Sequence, residues 1–211
     1  MKTMIINASP RKNWNTSQLL KEAAKGAESS GAEVEYVDLY DLSFTGCRSC
    51  LACKRQGAER CKCYWKDDLS PLIDRILASD ALIIGTPIYF GEATSGFRAL
   101  MERLLFCIMS YDGNGAYFQG KIKTGILYTM NAPAEYYEAA MRQSLRSMEN
   151  LIGILLKGGV RTYAACDTVQ VSDYSKYSMA AFNEAYKKAQ QAEQFPADLR
   201  AAFDIGAELS R

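Results

Sequence analysis

Short apolar segments recur along this chain with amphipathic segments between them, and that rhythm constrains the fold more than any other feature. Residues 2–7 (KTMIIN) are apolar and β-branched, 33–39 (EVEYVDL) alternate, and 81–86 (ALIIGT) form a continuous apolar run. With 124–130 and 160–166 they make five predicted strands. Helices are predicted over 16–29, 69–78 and 95–110, one or two over 134–157, and a helical tail over 179–210 interrupted near Pro196. Strands alternating with helices imply an α/β three-layer sandwich, a five-stranded parallel sheet covered on both faces. Right-handed crossovers then gather ligands outside the carboxyl ends of the strands, at the switch point of the sheet. No repeat, low-complexity tract or linker divides residues 1–211, so a single domain is expected.

The loop after the first strand, Asn7-Ala8-Ser9-Pro10-Arg11-Lys12-Asn13-Trp14-Asn15-Thr16-Ser17, leads into a helix whose Leu19, Leu20, Ala23, Ala24 and Ala27 share one stripe. Free N–H groups and the positive end of the helix dipole lie at such a junction. The hydroxyls of Ser9, Thr16 and Ser17, the Asn15 amide and the Arg11 guanidinium can join them around one phosphate. The simpler alternative is that these residues only cap the helix. No G-x-x-x-x-G-K-[ST] and no G-x-G-x-x-G is present, so a mononucleotide with a phosphomonoester tail is the ligand that remains.

A second ligand loop, 85–96, follows the third strand. Pro87 holds Thr86 extended, and Tyr89 and Phe90 place two aromatic rings where a loop normally exposes polar groups. A flat aromatic ligand would explain them; packing under the loop or at a subunit interface is the alternative.

Together the S-P-R-x-x-x-N-T-S loop and the G-T-P-x-Y-F segment resemble the flavin sites of the flavodoxin-like NAD(P)H-dependent FMN reductase family, in type and order, over residues 1–166. The resemblance implies that Ser9, Arg11, Asn15, Thr16 and Ser17 hold the FMN phosphate. It also implies that Thr86, Pro87, Ile88, Tyr89 and Phe90 border the isoalloxazine ring. Trp14 departs from the family, which often has a small residue there.

The 211 residues contain no histidine, which excludes imidazole bases, Ser-His and Cys-His pairs and HExxH zinc sites. No catalytic side chain is expected; the chemistry resides on the flavin. The resemblance implies hydride delivery from NAD(P)H to FMN, then ping-pong transfer to a small acceptor such as a quinone or flavin. A non-enzymatic flavin-binding module is a further alternative. A net charge of +1 offers no basic field for nucleic acid, and apolar runs such as 104–109 and 151–156 are too short for a bilayer. With seven cysteines and no apolar leader, a cytoplasmic location is expected.

Five of those cysteines, Cys47, Cys50, Cys53, Cys61 and Cys63, follow the pattern C-x2-C-x2-C-x7-C-x-C. The first three can converge on one face of a cluster, with Cys61, or alternatively Cys63, as fourth ligand. The pattern resembles the motif of iron-sulfur flavoproteins, a branch that binds FMN and a 4Fe-4S cluster, which implies electron flow from a ferredoxin-like donor through the cluster to FMN. Zinc also takes four thiolates. Related FMN reductases with a C-x-x-x-D-D-[ML] segment, matched by 63–69, are described without a cluster. Cys107 and Cys166 read as core residues.

Arg48, Lys54, Arg55, Arg60, Lys62 and Lys66 crowd this segment with only Glu59 as an acid nearby. They could offset cluster charge, attract an acidic electron donor, accept the 2′-phosphate of NADPH, or form an ordinary solvated loop. The helix from Phe97 carries Leu100, Met101, Leu104, Leu105, Ile108 and Met109, a stripe wider than one sheet face needs. A homodimer or tetramer is therefore expected; the resemblance implies a flavin near the subunit interface, with Tyr111, Asp112, Asn114 or Tyr117 near the partner's flavin.

Overall fold

Strands buried on both faces need continuous apolar runs, and residues 2–7 and 81–86 supply them. The computed structural model, which describes residues 1–113 and 115–211, forms β1 (Lys2–Asn7), β2 (Glu33–Asp38), β3 (Ala81–Tyr89), β4 (Glu92–Ala93), β5 (Ile122–Thr129) and β6 (Lys157–Ala165). Their order is β2-β1-β3-β5-β6, all parallel, with β4 antiparallel to β3. This is the flavodoxin-like order, with its switch point between β1 and β3. Met4, Ile5 and Ile6 of β1 and Leu82, Ile83 and Ile84 of β3 are fully buried, whereas the alternating β2 lies at an edge, half-exposed.

The helices are α1 (Asn15–Ser29), α2 (Leu69–Leu77), α3 (Ser95–Ile108), α4 (Ala134–Tyr136), α5 (Arg142–Leu156), α6 (Glu184–Glu193) and α7 (Phe195–Leu209). A π-helical turn over Tyr137–Met141 separates α4 from α5, and Pro196 sits in the first turn of α7, where a missing N–H costs nothing. One core joins α2, α3 and α5 to the sheet; the other joins α1 and α7 to the opposite face. The α1–α7 contact is backbone to backbone. A Cβ on Gly206 would lie 2.0 Å from the Ala23 carbonyl oxygen, and one on Gly26 2.0 Å from that of Phe203.

The five predicted strands form the expected parallel sheet, with one addition: β3 runs on past Thr86 to Tyr89 and reverses through Phe90 (φ 54) and Gly91 (φ 82) into β4. Two successive positive φ values make the tight turn that suits strand twist, so residues 85–96 form a hairpin and not an open loop. The broad stripe of α3 is covered largely from within this chain. Leu100, Met101, Leu104, Leu105 and Ile108 are all buried within this chain, because the cysteine-rich segment covers the side of the helix that the sheet leaves free. Among the described residues, no helix is long and apolar enough to cross a membrane. Asn114, named above near the flavin, lies outside the described residues.

Candidate functional site

The carboxyl ends of β1, β3, β5 and β6 open into a cavity of about 160 Å³. Of the residues singled out from sequence, Ser9, Arg11, Asn15, Thr16, Pro87, Ile88 and Tyr89 line it. Three do not. Ser17 is fully buried and donates to the Trp14 carbonyl at 2.9 Å. Thr86 is also fully buried; its Oγ1 accepts from Thr94 N at 3.1 Å and ties the base of the hairpin. Phe90 sits at the hairpin tip with its ring wholly in solvent.

At the phosphate end, α1 begins at Asn15 with Trp14 as its N-cap residue, and no side chain caps it. Among the described residues, the N–H groups of Asn15, Thr16 and Ser17 have no acceptor, although all three residues are buried. First-turn N–H groups that no side chain of the protein takes are open to a ligand. The loop's side chains are occupied. Thr16 Oγ1 meets Thr129 Oγ1 at 2.7 Å, and Arg11 N donates to Ser9 Oγ at 3.1 Å. Trp14 Nε1 and Asn15 Nδ2 both donate to the Val169 carbonyl, at 3.1 and 2.8 Å, and Arg11 Nη1 donates to that of Gln170 at 2.6 Å. The segment after β6 thus straps the loop.

Trp14 also lines the cavity, and Thr129, Met130, Asn131, Thr168, Val169 and Gln170, none of which sequence reasoning placed at a ligand site, complete the lining. Asn131 donates through Nδ2 to Gln170 Oε1 at 3.0 Å, yet its buried Oδ1 has no partner. Beneath it, the buried Lys187 donates to the Asn131 carbonyl at 2.6 Å and to Asp167 at 2.5 Å. Burial raises the Tyr89 phenol pKa, against a lowering by Arg11, so at neutral pH its hydroxyl keeps its proton at the cavity rim.

The cysteine-rich segment lies across α3. Cys47, Cys50, Cys53 and Cys63 line one small apolar cavity whose wall from α3 includes Arg103 and Cys107; Cys61 is not among them. Every cysteine is a free thiol, and among the described residues no three Cys, Asp or Glu side chains are grouped to hold a metal ion. Arg103, almost fully buried, donates from Nε and from Nη2 to Cys63 Sγ, each at 3.3 Å. Its remaining donors reach Asp67 Oδ2 (2.5 Å), the Thr45 and Trp65 carbonyls (3.2 and 3.3 Å) and Ser70 Oγ (2.7 Å). Burial pushes the Cys53, Cys61 and Cys107 thiols up.

The basic residues here are not all solvated. Lys54 Nζ caps the end of α3 through the Phe106 and Met109 carbonyls, both at 2.5 Å, over the rings of Phe106 and Tyr117 at 4.7 and 5.1 Å. Arg48 stacks on Trp65 at 4.5 Å, and Arg60 on Tyr117 at 4.5 Å. Tyr111 and Tyr117 therefore attend the cysteine-rich segment.

Residues 1–160 match the family model described as NADPH-dependent FMN reductase. The chain belongs to that family. Among curated proteins, this FMN reductase family member is 34% identical over 103 residues to an iron-sulfur flavoprotein of Methanocaldococcus jannaschii, covering 49% of this chain and 51% of that one. It is 33% identical over 137 residues to an iron-sulfur flavoprotein of Archaeoglobus fulgidus, covering 64% of each. These matches span about half to two-thirds of the relatives' lengths. Among solved structures, the NAD(P)H:quinone oxidoreductase from Methanothermobacter marburgensis superposes with a TM-score of 0.74 at 19% identity, covering 100% of this chain and 98% of the other, a likeness of fold.

Membership in the FMN reductase family supports flavin binding, and the cleft fits the ligand. It offers unpaired backbone donors to an anionic tail and an orphaned acceptor, Asn131 Oδ1, to a hydroxyl or N–H deeper in. The cavity is smaller than the ~300 Å³ at which ligand pockets usually begin, so it would take the tail while the ring would lie along the open rim at Ile88 and Tyr89. The strap residues Val169 and Gln170 fall beyond the family match, in the part of the chain whose polar, aperiodic sequence carries no recognisable signal.

Proposed function

We infer that this protein is an FMN-dependent oxidoreductase that passes electrons from NAD(P)H through bound flavin to a small acceptor such as a quinone or another flavin. The observation that carries this function is the start of α1, which no side chain caps and where Asn15 and Thr16 line the cleft with backbone N–H groups that have no acceptor among the described residues. Those groups, with Ser9 and Arg11, would hold the phosphate; Pro87, Ile88 and Tyr89 would support the ring. When bound, FMN supplies the electron-transfer chemistry. The chain orients it, keeps water from its buried side and offers the Tyr89 hydroxyl at the rim. With the ring along that rim, reductant and acceptor would use it in turn. Initial rates of NAD(P)H oxidation at varied quinone should give parallel double-reciprocal lines. Intersecting lines would reject this scheme, and absence of turnover in flavin-loaded protein would leave a non-enzymatic flavin module.

A second function is favoured by the cavity that gathers four thiols. Cys47, Cys50 and Cys53, with Cys61 or Cys63, would hold a 4Fe-4S cluster, in keeping with the names of the curated relatives. Such a cluster would bring single electrons from an acidic, ferredoxin-like donor, and Arg55, Arg60 and Lys66 form the basic rim it would meet. Iron and sulfide assays on anaerobically purified protein separate a cluster from zinc or from bare thiols. Exposed Leu151 and Ile154 on α5 support assembly as a homodimer or tetramer, and seven free thiols fit a reducing cytoplasm.

A further inference from the structure

Trp14 stands where the family often has a small residue, and the segment after β6 lies largely beyond the part of the chain that matches the family. Hydrogen bonds join these two departures. Trp14 Nε1 and Asn15 Nδ2 both donate to the Val169 carbonyl, at 3.1 and 2.8 Å, and Arg11 Nη1 donates to the Gln170 carbonyl at 2.6 Å. The strap therefore turns these two carbonyls toward the phosphate loop, and Val169 and Gln170 wall the same cavity as Asn15 and Thr16.

The N–H groups of the strap are spent elsewhere. Asp167 N donates to the Ala132 carbonyl at 2.9 Å, and Thr168 N and Oγ1 both donate to the Met130 carbonyl at 3.0 Å. Val169 N donates to Gln191 Oε1 at 3.3 Å, and Gln170 N donates to the Tyr174 hydroxyl at 3.0 Å. Residues 167–170 thus bond through successive backbone donors to the loop after β5, to α6 and to Tyr174. Buried Lys187 pairs with Asp167 and fixes the start of the strap. Loops that hold a pyrophosphate do the reverse, presenting successive N–H groups to the anion. This strap presents carbonyl oxygens.

We propose that residues 167–170 set the length of the ligand's tail, admitting a terminal phosphomonoester at the start of α1 and excluding a pyrophosphate, and that Trp14 is the specificity-determining residue that latches the strap. This rests on the flavin function above. A single phosphate meets the N–H groups of Asn15 and Thr16, which have no acceptor among the described residues. A second phosphate linked through the first would lie against Val169 and Gln170, where it would lose water and gain no backbone donor from the strap. The Arg11 guanidinium in this wall already bonds the Gln170 carbonyl.

The test uses the full chain and measures dissociation constants for riboflavin, FMN and flavin adenine dinucleotide by fluorescence quenching, ligands that share the ring and differ in the tail. The unaltered protein should bind FMN at least about tenfold more tightly than the dinucleotide, the lower end of what a desolvated polar group without a partner costs. Trp14→Ala removes the latch and its bulk; it should shrink that preference by at least about threefold and leave riboflavin within about twofold. Tyr174→Phe acts from behind the strap, keeps the buried ring and removes only the acceptor of Gln170 N, and should shrink the preference by about twofold. If Trp14→Ala does not fold, Tyr174→Phe alone decides. Equal weakening of all three ligands gives Trp14 a merely structural role and overturns the proposal. An unchanged preference in folded Trp14→Ala overturns the role of Trp14, and an unchanged preference in Tyr174→Phe overturns that of the strap. Dinucleotide binding within about threefold of FMN in the unaltered protein overturns the length limit and leaves the flavin site standing. If none of the three ligands binds, the flavin function itself fails and the proposal with it.

Discussion

If the start of α1 is the phosphate site, this protein should bind FMN far more tightly than riboflavin, which differs only by lacking the phosphate. The N–H groups of Asn15, Thr16 and Ser17 have no acceptor among the described residues, so a phosphate gains them without breaking other bonds. Hydrogen bonds to charged groups contribute about 1.5–3 kcal/mol each. Two of the three at the lower value give about 3 kcal/mol, a ratio of dissociation constants above about a hundredfold. Arg11 contributes differently: it is exposed, bonded to the Gln170 carbonyl and stacked over Trp14 at 5.1 Å, so its pull on the phosphate is screened by salt. Titration of each flavin by fluorescence quenching, at low and at high ionic strength, reads both parts. Arg11→Ala should weaken FMN about two- to fivefold at low salt and little at high salt, while the preference over riboflavin persists. Ser17→Ala should leave FMN affinity within about twofold, because that hydroxyl is turned to Trp14 O at 2.9 Å. Riboflavin binding within about threefold of FMN would refute the reasoning, since the anion would then not be at this helix.

Gly206→Ala should destabilise the fold by about 1–3 kcal/mol despite the better helix propensity of alanine, because the new Cβ meets the Ala23 backbone 2.0 Å away; an unchanged thermal midpoint would show the α1–α7 contact to be looser. Thr94→Val removes the N-cap of α3 and strands the Ala8 carbonyl, which Thr94 Oγ1 now satisfies at 2.8 Å, so urea denaturation should lose about 1–3 kcal/mol and FMN should bind more weakly. Glu35 pairs with Lys2 at 3.2 Å and Arg75 at 2.8 Å; burial pushes its carboxyl pKa up, but the two cations outweigh it and hold it below its ordinary value. A depressed folded-state pKa stabilises above the unfolded pKa of about 4.3 and is lost as pH falls through the folded value. Glu35→Gln should therefore lower the unfolding free energy from urea titration at pH 7, by no more than about 1 kcal/mol per partly exposed pair, and the gap should close toward pH 3; a gap that widens in acid contradicts this sign.

What the sequence discloses about this molecule is what short-range chemistry determines. Continuous apolar runs identify β1 and β3 because only strands covered on both faces tolerate them, and the Ser-Pro-Arg loop is legible because a strand, a polar loop and an amphipathic helix are contiguous. The hairpin was not legible, since Phe90 at φ 54 violates the preference of such turns for glycine or asparagine. Arg103 was not legible either: an arginine amid leucines looks like a surface charge, and its burial depends on Asp67, 36 positions away. The strap is a contact over 154 positions between Asn15 and Val169, and no local pattern encodes such a pairing.

Those long-range contacts join the two candidate sites through one helix. At its N-terminus, Thr94 accepts from Phe97 N and donates to Ala8 O, so α3 is fastened to the start of the phosphate loop. Nine residues on, about 14 Å along the axis at ~1.5 Å per residue, Arg103 grips Cys63 and clamps the cysteine-rich segment. At the far end, Lys54 from that segment caps α3 through Phe106 and Met109. A helix buried on both sides and fastened at both ends is a rigid spacer, so the separation between flavin cleft and thiol cavity is set by α3 and not by the flexible reach of the loops. The unusual width of its apolar stripe follows from this: one side faces the sheet that carries the candidate flavin cleft, and the other faces the segment that carries the thiols.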